Sequence, residues 1–360
     1  VNIDAPTNDN STQNSGDVKE VGVYHCISRC VRRAFLCGVD AYTGINYEHR
    51  RGWIASRLKE LSSIFSVEVF AYAVMSNHLH VVVRNRPDLA NSWTPEEVAY
   101  RWCTLFPKRN AHGVAEAPSE EAISVFVADS ERVETCRGRL SDISWLMRCL
   151  NEPIARRANR EEKCTGRFWE GRFKCQRLMD EGAILACMAY VDLNPVRARI
   201  ADTLEESAFT SVYDRVIAER AKDRLKASPK LPAPTQAQKA LILKESAASK
   251  RADWLLDLNG QESPFSGVDL GFYLSLVEWT GQNIREDKSG HIPLGLKSVL
   301  ERFDLDTENW VRNVESYGGL FYRIAGPLES ITARAREKGL CWLRGQKGSR
   351  SLYRSFKEAA

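Results

Sequence analysis

Two histidines separated by one residue, His78 and His80, follow directly on the polar pair Ser76-Asn77 in a run of apolar, β-prone residues. Side chains of a strand alternate with period two, so both imidazoles leave one face while Leu79 and Val81 leave the other. Two nitrogen donors side by side can grip a divalent cation, although an HxH is also a common surface pair. The chain has only six histidines, which makes two of them behind a short turn a selective feature. Tyr190 lies near the end of an apolar segment, with Asn194 four residues on. If one helix continues through both, a phenol and an amide share a face. Each also has a plain reading: packing for the tyrosine, and for Asn194, which precedes Pro195, a cap before a new turn. The third group is basic. Arg148, Arg156, Arg157, Arg160, Lys163, Arg167, Arg172, Lys174 and Arg177 fall in one stretch, interleaved near its end with Phe168, Trp169 and Phe173. Such a mixture stacks bases while neutralising phosphates. A solvated helix face is the alternative for the charges, and core filling for at least one of Phe168 and Phe173.

The elements that must carry these groups are readable from periodicity. Residues 21–27 have the β-branched content of a strand, and Trp53, Ile54, Leu58, Leu61, Ile64 and Phe65 recur at helical spacing. Residues 67–75 and 78–83 are two apolar runs about a short polar turn, the pattern of a β-hairpin. Between about 86 and 139 lie Pro87, Pro95, Pro107 and Pro118, with one helix expected at about 96–106, so this stretch reads as an insertion. A helix follows at about 141–160, striped by Ile143, Leu146, Met147, Leu150 and Ile154. A loop and strand at 166–175 and a helix at about 180–193 complete the series. This order predicts an α+β domain over 19–218, a small sheet with helices on one face. A flexible leader is expected over 1–18 and a Pro-rich linker over 219–237. A mainly helical accessory domain is expected over 238–360, with amphipathic segments at 270–279 and 296–303 and a basic tail from Arg334 to Lys357.

Composition bounds the rest. With 360 residues, 43% hydrophobic and 27% charged, the chain can bury a proper core. No apolar run approaches the roughly 20 residues that span a bilayer, and the polar start lacks the apolar stretch of a secretory signal. A cytoplasmic, bacterial location with no membrane partner is the expectation. The ten cysteines form no CxxC pair and read as free thiols; Cys26, Cys30 and Cys37 near His25 are poorly spaced for zinc, so no second metal is assigned. A net charge of +4 says little by itself. The GxxxxGK[ST] phosphate loop is missing, so no nucleotide cofactor is expected.

Three blocks in order carry a resemblance. They are Ala-Tyr-Ala-Val-Met-Ser-Asn-His-Leu-His at 71–80, Gly-Arg-Phe-Trp-Glu-Gly-Arg-Phe-Lys at 166–174 and Tyr-Val-Asp-Leu-Asn-Pro-Val-Arg-Ala at 190–198. Together they resemble the signature blocks of the REP-associated tyrosine transposases, single-tyrosine members of the HUH superfamily. Tyr24-His25-Cys-Ile-Ser-Arg29 and Phe209-Thr-Ser-Val-Tyr213 are similar to flanking family patterns, so the resemblance spans roughly residues 20 to 215. The 86–139 insertion and the C-terminal region depart from a minimal member. The resemblance implies a ferredoxin-like antiparallel sheet, a metal held by His78, His80 and Asn194, and Tyr190 as nucleophile. It implies hairpin-bearing single-stranded DNA as substrate, on a surface assigned to Arg29, Arg156, Arg160, Arg167, Trp169, Arg172, Lys174 and Arg197.

A free phenol titrates near about 10 and is a weak nucleophile at neutral pH, so the phosphate must be polarised or the phenolate stabilised. Mixed nitrogen and oxygen donors suit Mn²⁺ or Mg²⁺ acting as a Lewis acid. Attack by Tyr190 leaves a 5′-phosphotyrosine and a free 3′-hydroxyl, and resealing needs no ATP. Two other readings stand beside this one: a domesticated, non-catalytic hairpin-binding protein, and a phosphodiesterase in which His78 or His80 is a general base. The oligomeric state is left between monomer and homodimer.

Overall fold

The computed structural model describes residues 20–31, 36–40, 43–228, 235–286 and 292–354. The expected leader, residues 229–234 of the expected linker, and Lys357 lie outside them. In chain order the elements are β1 (Gly22–Arg29), α1 (His49–Ile64), β2 (Val67–Val74), β3 (His78–Asn85), α2 (Pro87–Ser92), α3 (Pro95–Leu105), α4 (Glu120–Val127) and α5 (Ser130–Leu140). There follow α6 (Ile143–Glu161), β4 (Lys174–Leu178), α7 (Glu181–Asp192), α8 (Asn194–Arg197), α9 (Ser211–Ala227) and α10 (Gln236–Ser249). The chain then forms α11 (Leu270–Glu286), α12 (Leu294–Arg302), α13 (Trp310–Leu320), β5 (Ile324–Ala325), α14 (Leu328–Glu337) and α15 (Gln346–Leu352). No helix among the described residues is long and apolar enough to cross a membrane.

The protein is α+β, with a five-stranded sheet in the order β2-β3-β1-β4-β5. β1 and β4 are antiparallel, with His25 opposite Gln176 and Cys26 opposite Cys175. β5 pairs parallel with β4, so the sheet is mixed rather than wholly antiparallel. The added strand comes from the C-terminal region, which is therefore helical with one strand in the sheet. Helices also cover both faces, not one. The even face of β1 meets α6, where Asn151 donates to Ser28 Oγ at 2.8 Å. Its odd face, with Val23, joins the core formed by α7, α11 and α13. The reason lies in the strands: β1 is buried on consecutive residues 23–26 and β3 on 79–83, so both faces must be covered.

Two compact units divide the chain. One holds Ile64–Val67 and Asn85–Arg148 with residues 20–22, and contains the stretch read as an insertion. Three of its helices, α3, α4 and α5, start on side-chain caps: Thr94, Ser119 and Asp129 accept from the backbone of Glu97, Ala122 and Arg132. The other unit holds Val23–Ser63, Glu68–Arg84 and the chain from Cys149 onward, so the expected catalytic and accessory regions share one unit. Within it, residues 219–227 of the expected linker continue α9, which Thr210 caps and whose Arg, Lys, Glu and Ala residues are good helix formers.

α7 is the centre of that larger unit. Asp180 caps its start by accepting from Ala183 N at 2.9 Å, and residues 182–192 are all buried. An apolar run buried all round needs cover on every side. At its far end the buried Asp192 accepts from Ser211 Oγ, from Val212 N at 3.0 Å and from Tyr273 Oη at 2.5 Å. Ser211 Oγ also receives Tyr72 N at 3.0 Å, and Val74 N donates to Phe209 O at 3.1 Å. The 209–213 block is thus a clasp that fixes the end of α7, where Tyr190 sits, to strand β2.

Candidate active site

β3 places His78 and His80 on one face, and β1, its neighbour in the sheet, brings His25 alongside. His80 Nδ1 lies 2.8 Å from His25 Nε2, with the rings stacked at 5.1 Å between centroids. His78 meets His80 edge-on at 4.7 Å, and its Nδ1 is 2.6 Å from Asn77 Oδ1. α7 carries Tyr190 onto this group: its ring is 5.6 Å from His80 and 6.0 Å from His25, both edge-to-face. Residues more than a hundred positions apart therefore converge at one place on the sheet.

The turn from α7 to α8 supplies the rest. Asn194 Nδ2 donates to Tyr190 O at 3.1 Å, closing one carbonyl that the helix end leaves open. Its Oδ1 accepts from Arg197 at 3.2 Å. The Arg197 guanidinium lies over the Tyr190 ring, 4.6 Å from its centroid, while its buried Nε has no hydrogen-bond partner. Tyr317 of α13 also lies against the phenol, 5.3 Å from Tyr190 and buried. The next residue, Gly318, is a helix-interior glycine with a specific reason: a Cβ there would stand 2.7 Å from Tyr190 Oη.

Burial sets the protonation of these groups. It holds His78 down to about 4, with the Arg29 and Arg197 charges adding to the effect. Burial brings His25 to about 4 as well, opposed by a hydrogen bond to Gln176. His80 lies well below the ordinary imidazole range, through burial first and then its charged-form repulsion with His25, His78 and Arg197. All three rings are neutral at neutral pH, the form that has a lone pair to give. Burial raises the Tyr190 phenol, and Arg197 acts in the opposite direction through its charge and a hydrogen bond.

The donor set fits a small divalent cation at two positions. Asn77 and His25 engage Nδ1 of His78 and His80, which leaves Nε2 of each ring, and His80 Nε2 is buried without a hydrogen-bond partner. A ligand imidazole with its other nitrogen tied to a fixed group is the usual arrangement at a protein metal site. The third expected donor, Asn194 Oδ1, is engaged by Arg197. Among the described residues no group of three or more His, Cys, Asp or Glu is arranged to hold a metal.

The basic loop is built differently. Trp169 Nε1 donates to Asn151 O at 2.9 Å, Val31 N donates to Phe168 O at 3.0 Å and Glu170 N to Arg29 O at 2.8 Å, which ties residues 168–170 to the end of β1. Of the loop and strand expected over 166–175, the loop takes most, with Gly166 at φ 100°, and the strand begins at Lys174 and runs on to Leu178. Phe168 is buried, while Arg167, Arg172 and Lys174 are exposed. Arg156 and Arg160 are exposed on α6, Arg156 paired with Glu152. The structure thus brings His78, His80, Tyr190, Asn194 and Arg197 together, with Arg29 acting on His78 by charge. Among the described residues, the partners of Arg156 (Glu152), Arg167 (Glu170 O) and Trp169 (Asn151 O and Phe168) all lie outside that group, and Arg160, Arg172 and Lys174 are exposed.

Sequence reasoning did not assign His25, Gln176, Tyr317 or Gly318. His25 had a signal, since it stands in the Tyr24-His25 pattern at an odd position of an alternating strand. Tyr317 and Gly318 had none, because only the packing of α13 on α7 brings them to the site.

No protein-family model matches the chain, and no curated protein matches it. Among solved structures, one described as the REP-associated tyrosine transposase bound to a REP hairpin is similar over 54% of this chain and 79% of that one. The identity is 11% and the TM-score 0.31. A likeness of that size assigns no activity or partner to this chain.

Proposed function

We propose that this protein is a DNA strand transferase that cuts and rejoins hairpin-bearing single-stranded DNA through a phosphotyrosine at Tyr190. The observation that carries the reading is the convergence of His80 and Arg197 on the Tyr190 ring, at 5.6 and 4.6 Å. Imidazole, guanidinium and phenol meet in a site that largely excludes water, where charge interactions are strong. Attack of the phenolic oxygen on phosphorus forms the tyrosyl ester and breaks the bond to the 3′-oxygen. The proton passes, in net terms, from phenol to departing hydroxyl. The reverse step reseals the strand with no further energy source.

Arg197 does two things in this scheme. Its charge opposes the effect of burial on the phenol, and its unpartnered Nε–H is a donor for a non-bridging phosphate oxygen. The side chain is partly exposed, so it marks the side from which DNA enters. Tyr317 and the close approach of Gly318 hold the Tyr190 ring in one orientation. A divalent cation, Mg²⁺ or Mn²⁺, held by Nε2 of His78 and His80 and by Oδ1 of Asn194 once Arg197 turns to phosphate, would supply Lewis-acid polarisation. Arg29, Arg156, Arg160, Arg167, Arg172 and Lys174 neutralise the DNA backbone in this reading, and Trp169 stacks a base. The strand order β2-β3-β1-β4 supports a ferredoxin-like core over 19–218, with β5 added at its edge.

Incubation of labelled hairpin DNA with protein and Mn²⁺, followed by a denaturing gel, tests this. The wild type is expected to retain label on the protein, and Tyr190→Phe to lose both adduct and cutting. Cutting that persists in Tyr190→Phe would falsify the assignment. One observation favours the second reading, hairpin binding without cleavage: Tyr190 is only 8% exposed, under α13. Metal-independent binding with no cutting of any hairpin decides for it.

A further inference from the structure

Resting on the metal-site reading of His78 and His80, we propose that His25, backed by Gln176, is a positioning residue that fixes His80 as its Nδ1–H tautomer and so aims the bare Nε2 into the site. Between His25 Nε2 and His80 Nδ1, 2.8 Å apart and both neutral, there is one proton, and the question is which ring owns it. Three side chains on three strands and one carbonyl settle the direction. Gln176 sits opposite His25 in the β1–β4 register. Its Nε2 donates to Tyr322 O at 3.4 Å, which leaves Oε1 as the polar atom of the amide still to be satisfied. That oxygen is buried and has no hydrogen-bond partner, so it calls for a donor.

In this assignment His25 Nδ1–H, directly across the register, is that donor. A neutral imidazole carries one proton, so Nε2 of His25 must then accept. His80 Nδ1–H supplies the hydrogen, and His80 Nε2 is left with its lone pair. The opposite assignment leaves His80 Nε2–H as a buried donor with nothing to receive it, while Gln176 Oε1 stays unpaired. Two orphaned groups replace one, and orphaned buried N–H groups are the rarer kind. The stacking of the two rings at 19° between planes holds the geometry in place.

The test uses the full chain labelled with ¹⁵N-histidine and free of metal. Two-bond ¹H–¹⁵N spectra distinguish the protonated from the bare nitrogen of each ring, and His80 is assigned by its loss in His80→Asn. The expected result is a protonated Nδ1 and a bare Nε2 on His80; a protonated Nε2 overturns the proposal. A second measurement titrates Mn²⁺ by electron paramagnetic resonance. His25→Phe, with no acceptor, is expected to weaken Mn²⁺ binding about 10- to 100-fold, and His25→Gln, which keeps an acceptor, to restore it to within about threefold. A folded His25→Phe that binds Mn²⁺ like wild type overturns the positioning role. Wild type that binds no Mn²⁺ while His80 shows the bare Nε2 removes the metal reading alone and leaves the tautomer assignment standing.

Discussion

His25, His78 and His80 sit on the sheet under helices and are held neutral by burial, whereas Arg167, Arg172 and Lys174, in the loop before β4 and at its first residue, are exposed. The first group has geometry that strands and one helix impose. The second is tied by the backbone of Val31, Arg29 and Glu170 and by the Trp169 indole on Asn151, while the side chains of Arg172 and Lys174 stand exposed to a ligand. Chemistry that needs one fixed arrangement belongs in the former. Attraction for a polyanion, which needs charge and reach but no fixed arrangement, belongs in the latter.

Arg197 stands between the two kinds, and changing it breaks the comparison most severely. Arg197→Ala is expected to lower the rate of adduct formation about 10²- to 10³-fold, as for loss of one preorganised donor, with hairpin affinity changed far less. A rate loss matched by an equal affinity loss would move Arg197 to the exposed class. Single-turnover kinetics beside a binding titration separates the two outcomes.

Acid probes the neutral imidazoles. Unfolded, His25 titrates near 6.5; folded, it titrates at about 4. Between these values the unfolded chain holds the extra proton, so stability falls as pH is lowered from 6.5 towards 4 and is flat above. The contribution is on the order of 3 kcal/mol for His25. Urea unfolding in chelator at several pH values measures it, and His25→Gln should remove its share of the slope in that window, leaving that of His78 and His80.

Gly318→Val sharpens the claim that the phenol is held in one orientation. The new side chain meets Tyr190 Oη, and a displacement of about 1 Å is expected to slow transfer about 100-fold. Hairpin binding through the loop should persist. The smallest effect is expected on the exposed side. Arg172→Ala should weaken binding uniformly across hairpin sequences and lower the salt dependence of log K by about one unit, with the rate of the bound complex unchanged.

The same contrast explains what could be read in advance. His78 and His80 share a face because strand period is local, and α7 declares itself by its apolar run and the Asp180 cap. The hairpin, α1, α3 and α6 likewise follow from nearby residues. What was not legible depends on contacts between distant segments. β5 is two residues long and has no pattern of its own, yet it makes the sheet mixed. Helices on both faces follow from consecutive buried residues in β1 and β3, a signal present in their apolar runs. Tyr317 and Gly318 reach Tyr190 only because α13 packs on α7, and Asn194 meets Arg197 rather than standing open because i and i+3 adjoin in a helical turn.

The most direct test of the central claim is to trap the wild-type protein on hairpin DNA with Mn²⁺, digest the DNA and the protein, and locate the nucleotide remnant by mass spectrometry. The account predicts the remnant on the tyrosine of the peptide that contains residue 190. A remnant on any other residue, or cleaved DNA with no modified peptide, contradicts it.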